Sequence, residues 1–365
     1  MTKEQKSLIV MAMNEYRNTV NGLVSDATNG ISIRKYTSKD VNAKLPSALI
    51  NQCIRDAKSI VNKYTKECRK VSTKNKKLAK QGKSVTLKEP TVPILKKLCC
   101  YINNQNFKIK DDDLEFPVLI NGKSKRLSVC TKMADKQKSI FSNAKLGTMR
   151  IVYKGNKIMA QIVYETAEPE YSNDGNVMGI DLGIKCPAVS YISDGSVKFY
   201  GNGRKNKYMR RHYIYLRRKI QKSKKVAIIK HINDKEQRIM KDLDHKVSRK
   251  IVNTAIENNV KIIKLEQLQT IRSTTRTSRK NNHSLHNWSF YRLAQFIEYK
   301  ARLAGIKVEY VNPAYTSQTC PVCGHIHHGN DRKYVCKCGF HIHRDLLGDV
   351  NICNSTKYVG NRHTA

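Results

Sequence analysis

Three acidic side chains stand where an apolar stretch begins or ends. Gly179-Ile180-Asp181-Leu182-Gly183 puts a carboxylate at the end of an apolar run, and Ile262-Ile263-Lys264-Leu265-Glu266 does the same again. Asp345 follows His343-Arg344 and opens a helix-like stretch from Leu346 to Ile352. An acid at the point where a buried core gives way to solvent is costly unless it is paired or metal-bound. Brought together, the three would call for divalent cations. Two Mg²⁺ ions bridged by such carboxylates activate water and stabilise the leaving oxygen in in-line phosphodiester hydrolysis. Other readings stay open: three separate surface acids, or, for Asp181 alone, a turn cap at a strand end. Sugar-kinase and actin-like ATPase domains also open with a string like the first, but usually continue with a phosphate-binding Thr where Ile184-Lys185 stands here. Asp349, one helical turn after Asp345, is a reserve candidate for the third ligand, against a solvated helix acid.

A second constellation is built of thiols. Cys320-Pro321-Val322-Cys323-Gly324 and Cys336-Lys337-Cys338-Gly339 form two pairs whose glycines let the chain turn so that amides point at sulfur. Four thiolates suit a tetrahedral structural Zn²⁺, the alternatives being iron or no metal at all. The second pair is C-x-C rather than C-x-x-C, and His341 is the nearby residue that could replace a poorly placed thiolate. Of the 11 cysteines, the other seven (Cys53, Cys68, Cys99, Cys100, Cys130, Cys186 and Cys353) have no paired spacing and read as reduced thiols.

The elements that must position these groups follow from periodicity. Residues 2–24 read as a helix with Thr2 and Gln5 as a capping box, and a second helix runs on from Pro46 with a stripe of Leu49, Cys53, Ala57, Ile60 and Tyr64. After Pro90 and Pro93 the period changes to two. Phe116, Val118 and Ile120 alternate, and Ile151–Tyr153 meets Ile158–Tyr164 across Gly155-Asn156, which reads as a small β-barrel. From Asn176 come three strands (177–181, 188–192, 197–200), long basic helices, a strand at 261–265, a helix at about 288–304 and a strand at 307–311. That order is the one of an RNase H-like α/β domain, and it sets the strands ending in Asp181 and Glu266 side by side. The fold class expected is therefore α/β and β, multidomain.

Charge identifies the kind of partner. Lys and Arg total 69 against 29 Asp and Glu, a formal net charge of +40, so the folded chain repels itself unless a polyanion neutralises it. Nucleic acid fits, because each phosphate contact releases condensed counterions. An anionic membrane surface is the rival, weakened by the lack of an apolar run near 20 residues, a signal peptide or a lipidation motif; this points to a cytoplasmic, nucleoid-associated protein. Arg204 to Lys225 interleaves basic residues with Tyr208, Tyr213 and Tyr215, as in a helix lying along a phosphate backbone with rings free to stack on bases. Arg204, Lys205, Arg210, Arg211, Arg217 and Arg218 are the candidate contacts there. Arg272 and Arg276 are candidates in a Ser/Thr/Asn-rich loop after Glu266 that could cover the acids.

Taken in order, Gly179 to Gly183, Lys264 to Leu268, Thr316-Ser317-Gln318-Thr319-Cys320 to Gly324, and Cys338 through His343-Arg344-Asp345 to Asn351-Ile352 resemble the TnpB family, transposon-encoded relatives of the type V CRISPR effectors. The resemblance implies an RNA-guided DNA endonuclease with a RuvC-like catalytic site at Asp181, Glu266 and Asp345, two catalytic Mg²⁺, a structural Zn²⁺ on Cys320, Cys323, Cys336 and Cys338, a non-coding guide RNA and a double-stranded DNA target read beside a short motif. It also implies an organisation: a helical recognition lobe (1–88), a wedge-like β-barrel (89–168), a RuvC-like nuclease domain (176–312), an inserted zinc-ribbon-like target-strand module (313–342), and a C-terminal RuvC helix and tail (343–365). Two departures stand out. The family usually places a strand ahead of the first helix, where this chain starts directly at Met1-Thr2-Lys3, and it commonly has a small residue where Asp349 stands. A cleavage-inactive RNA-guided repressor from the same family and a DNA-joining transposase are the alternatives. Repressors of that kind typically lose one or more of the acids, whereas all three are present here.

Overall fold

The computed structural model describes residues 1–82, 87–224, 226–268, 278, 285–286, 288–327 and 333–356, without the side chains of 226, 227, 229–231, 233, 234, 344 and 345. The chain divides into two compact units, Met1–Ala167 and Glu168–Ala365.

In the first unit, helix α1 (Lys3–Thr28) starts at a capping box: the Gln5 N–H donates to Thr2 Oγ1 at 3.1 Å and the Thr2 N–H to Gln5 Oε1 at 2.8 Å. Its buried stripe of Ile9, Met13, Tyr16, Val20 and Leu23 faces Leu49, Cys53, Ile54 and Ala57 of α2 (Ser47–Lys80). Beyond Ala57 helix α2 buries nothing more, and its second half is a basic rod. Strands β1 (Cys99–Ile102), β2 (Lys108–Lys110), β3 (Asp113–Ile120) and β4 (Lys123–Cys130), helix α3 (Asp135–Asn143), and strands β5 (Lys145–Lys154) and β6 (Lys157–Glu165) follow. They form two antiparallel three-stranded sheets, β1-β5-β6 and β2-β3-β4. Gly155 and Asn156 both take positive φ, 57° and 61°, in the two-residue turn joining β5 to β6, as a hairpin with native twist requires. Helices and strands share one core, with Phe116, Val118, Met149 and Ile151 packed with the α1 and α2 stripes.

The second unit is built on a five-stranded sheet of β7 (Asn176–Asp181), β8 (Ala188–Ile192), β9 (Val197–Tyr200), β10 (Val260–Glu266) and β11 (Lys307–Val311), in the order β11-β10-β7-β8-β9. β7, β10 and β11 run parallel, while β8 is antiparallel to both β7 and β9. Helices α4 (Gly203–Lys222) and α5 (Val226–Glu257) lie between β9 and β10, α6 (Phe290–Arg302) precedes β11, and α7 (Arg344–Asn354) ends the unit. Period two sorts the faces of the sheet. Met178, Ile180, Ile263 and Leu265 form a core with Ile251, Val252 and Ala255 of α5 and Leu293, Ile297 and Ala301 of α6. The alternate residues Gly179 and Lys264 meet α7 instead, so the sheet lies between α5 and α6 on one face and α7 on the other. Asp181 and Glu266 share the parity of Gly179 and Lys264, which puts both acids on the α7 side. Among the described residues no helix is long and apolar enough to cross a membrane.

Candidate active site and cysteine cluster

The parallel register sets Lys264 beside Gly179 and Leu265 beside Ile180, so the next residues, Glu266 and Asp181, leave the sheet together at the same edge. Their proximity shows in the electrostatics. The Glu266 carboxyl is pushed up to about 7, first by burial and then by the Asp181 charge, while the Thr316 hydroxyl, donating to Glu266 Oε1, pulls the other way. A carboxylate pair that holds on to a proton near neutrality is one that a cation would stabilise. The donor set, two hard oxygens at a partly open sheet edge, fits a divalent ion of the Mg²⁺ type.

Helix α7 is locked to this edge by contacts at several points. The Asp181 N–H donates to Asp349 Oδ1 at 2.8 Å. Lys264 Nζ donates to the carbonyls of Cys353 at 2.8 Å and Ser355 at 2.9 Å, at the end of the helix where carbonyls have no intrahelical partner. Between them the backbones nearly touch: a Cβ on Gly179 would lie 2.4 Å from the Asp349 carbonyl and 2.5 Å from the Cys353 nitrogen. Glycine is needed at 179 for this close approach, whereas a Cβ at Gly348 would meet Asp181 Oδ2 at an ordinary contact distance of 3.6 Å.

Asp349 is 0% exposed, so the solvated-acid reading of this residue is corrected: α7 turns it into the sheet. Asp345 sits four positions earlier, in the first turn of α7, and its side chain lies outside the described residues.

The four cysteine sulfurs lie within 4.8 Å of one another. Cys320 and Cys338 are 3.7 Å apart and Cys323 and Cys336 3.5 Å, close to the roughly 3.8 Å edge of a tetrahedron with 2.3 Å metal–sulfur bonds. The sulfurs could therefore hold a metal ion without His341, whose ring instead lies near the Gly339 carbonyl. Two turns shape the cluster, with Gly324 at φ 72° and Gly339 at φ 88°; β12 (Lys333–Val335) and β13 (His341–His343) pair as a hairpin behind the second. Cys336 is held down to about 7, chiefly by the Cys338 amide. Cys323 is pushed up to about 12: the His325 amide lowers it, but hydrogen bonds to the Cys336 and Cys338 sulfurs outweigh that. Metal-free, the cluster keeps protons it would have to release to a metal.

Cluster and acids are joined through α7. Leu347 packs with Cys320, Cys336 and Tyr334, and Asn351 Nδ2 donates to the carbonyls of Thr316 at 2.8 Å and Thr319 at 2.7 Å. The loop that delivers Cys320 is therefore the loop whose Thr316 holds Glu266. A cavity of about 340 Å³ opens beside it, lined among others by Asn312, Thr316, Thr319 and Asn351.

The basic candidates separate by face. Arg204, Lys205, Arg211 and Arg218 are exposed on α4, with Tyr208 and Tyr215 at 65% and 62% exposure. Arg210 and Arg217 turn inward to Glu236 of α5, at 3.9 Å and 2.5 Å. Tyr213 is buried at 5%, so it packs rather than offering a stacking surface. Arg272 and Arg276, with the loop that carries them, lie outside the described residues. Lys264, Thr316 and Asn351 escaped the sequence reading, although a lysine inside the apolar string from Ile262 to Leu265 was a usable signal.

Two family models match the chain: one described as a probable transposase, OrfB of IS605, over residues 161–272, and one described as the TNB domain of Cas12f1-like proteins over residues 290–352. A TnpB-like protein of Methanocaldococcus jannaschii, MJ0751, is 29% identical over 273 residues, 70% of this chain and 94% of that one. The CRISPR-associated endodeoxyribonuclease Cas12f1 of Sulfoacidibacillus thermotolerans is 36% identical over 135 residues, 36% of this chain and 31% of that one; the chain thus spans about a third of that nuclease. Among solved structures, a Cas12f1 in complex with sgRNA and target DNA superposes with a TM-score of 0.63 at 16% identity, covering 97% of this chain and 83% of that one. The fold is thus the mixed α/β multidomain fold of Cas12f-type effectors. In sequence the chain is similar to TnpB-like proteins and to Cas12f-type nucleases.

Proposed function

We propose that the chain is an RNA-guided DNA endonuclease whose catalytic residues are Asp181, Glu266 and Asp345. The observation that carries this reading is the convergence of Asp181 and Glu266 at one sheet edge, on the face covered by the helix that begins with Arg344-Asp345. The sheet order β11-β10-β7-β8-β9, with only β8 reversed, supports an RNase H-like domain of the RuvC kind, and the cysteine cluster supports an inserted zinc-ribbon-like module. The helices and two sheets of the first unit are read as the recognition lobe and wedge-like barrel.

Held by the three acids, two Mg²⁺ ions would activate water and stabilise the leaving oxygen of a phosphodiester. The protein's own residues prepare that site. Thr316 holds one Glu266 oxygen, and Asp349 accepts the main-chain N–H of Asp181. A structural Zn²⁺ on the four cysteines would hold the Thr316 loop against α7. The net charge of +40 supports a polyanionic complex of guide RNA and DNA, with base pairing supplying sequence specificity.

The test is to express the chain with its native flanking DNA, sequence the RNA that copurifies, and incubate the complex with Mg²⁺ and a target library with randomised flanks. Guide-dependent cleavage that Asp181→Ala abolishes is the expected result. Target binding without cleavage would make the chain a repressor, and absence of bound RNA would remove the RNA-guided reading.

A further inference from the structure

The buried acid Asp349 is not needed to complete a three-carboxylate site, yet it contacts the main chain of one of the three acids. Its Oδ1 accepts the main-chain N–H of Asp181 at 2.8 Å, and the residue is fully buried. That amide nitrogen is bonded to the Cα bearing the Asp181 carboxylate, so a displacement of Asp349 is passed on to the metal-facing oxygens through very few atoms. The helix has little slack in which to absorb it. The Asp349 carbonyl and, one turn further on, the backbone of Cys353 press on Gly179. Lys264, two residues before Glu266 on the same face of β10, grips the last carbonyls of α7. Helix α7 is thereby tied to both acid-bearing strands, to β7 by Asp349 and to β10 by Lys264.

We propose that Asp349 is a positioning residue: as a hydrogen-bond acceptor, and not as a metal ligand, it sets the end of β7 so that the Asp181 carboxylate meets the cation. The inference rests on the proposed nuclease site. Its chemistry demands only an acceptor oxygen at Oδ1, which the amide of asparagine also provides. A ligand role would demand the carboxylate charge. Asparagine and alanine therefore separate the two roles.

The experiment compares wild type, Asp349→Asn, Asp349→Ala and Asp181→Ala in the full chain by two readouts. The first is hydrogen exchange of the peptide carrying the Asp181 amide, referred to each variant's global stability. The second is Mn²⁺ affinity by electron paramagnetic resonance. The proposal predicts that Asp349→Asn keeps both amide protection and Mn²⁺ affinity within about threefold of wild type, whereas Asp349→Ala exposes the amide and weakens Mn²⁺ binding by roughly tenfold or more, as loss of one oriented hydrogen bond to a charged site does. Equal loss of Mn²⁺ affinity in both variants with the amide still protected would overturn it in favour of direct ligation. Unchanged values in both would overturn it in favour of simple space filling. Should Asp349→Ala fail to fold, the asparagine variant alone decides between positioning and ligation. Wild type that binds Mn²⁺ no better than Asp181→Ala would count against the nuclease site itself, and amide protection kept in the asparagine variant but lost in the alanine variant would still uphold the positioning contact.

Discussion

Gly179→Ala adds one methyl group at the place where helix α7 and strand β7 meet, and the structure says what that methyl would do. Its carbon would lie 2.4 Å from the Asp349 carbonyl oxygen, 2.5 Å from the Cys353 nitrogen and 2.9 Å from the Cys353 Cα. All three are backbone atoms of one helix, so no side-chain rotation relieves the clash. Restoring an ordinary contact of roughly 3.4 Å requires α7 to back away by about 1 Å. Overpacking of this kind destabilises by roughly 1–3 kcal/mol, but the consequence at the site is larger. Metal–ligand distances tolerate only about 0.2 Å, and a 1 Å misplacement of catalytic groups can lower rates about 100-fold. Gly179→Ala is therefore expected to lose about two orders of magnitude in Mg²⁺-dependent cleavage while keeping most of its stability, measured by urea unfolding beside single-turnover cleavage. Gly22→Ala is the control, since a methyl there meets nothing within 4 Å. Wild-type cleavage by Gly179→Ala would refute the idea that α7 sets the geometry of the acids.

Other expectations follow from the same contacts. In metal-free protein the Glu266 carboxyl, raised from 4.5 to about 7, binds its proton more tightly folded than unfolded, so its contribution falls as pH rises through that window. Chemical unfolding of Glu266→Gln should show this variant gaining on wild type by roughly 3 kcal/mol between pH 4 and pH 8, with the gain shrinking when Mg²⁺ is added. Elemental analysis should find one zinc per chain, and Cys338→Ser should lose it and speed amide exchange across residues 316–343 while β7 and β10 stay protected. Arg211→Ala with Arg218→Ala should weaken nucleic-acid binding and flatten its dependence on log salt by about 2. Arg217→Ala, which removes the nearer of the two arginines at Glu236, should instead lower thermal stability.

Much of this site was legible before any coordinates. Period two in the runs ending at Asp181 and Glu266 fixes which residues share a face, and the order of strands and helices makes the two runs neighbours. The thiol spacing likewise announces a four-sulfur cluster. What the sequence could not show is which surface α7 covers. Asp349 reads equally well as a solvated acid or an inward one until the helix is docked, because at i+4 from Asp345 it obeys the same helical period either way. Thr316 and Asn351 are invisible for a similar reason: their partners, Glu266 and the Thr316 and Thr319 carbonyls, are reached only through tertiary contacts. Basic residues of α4 lie on both its solvent face and the flank of its apolar stripe of Met209, Tyr213, Leu216 and Ile220, so composition alone cannot separate Arg211 and Arg218, which face solvent, from Arg210 and Arg217, which face Glu236.

The most direct test of the account is to reprogram the RNA. If the copurifying RNA carries the target information, replacing its target-matching segment should move Mg²⁺-dependent cleavage to the DNA matching the new segment, with Asp181→Ala and Glu266→Ala silent on both targets. Cleavage that stays at the original DNA sequence whatever the RNA says would contradict the account and mark a protein that reads DNA by itself.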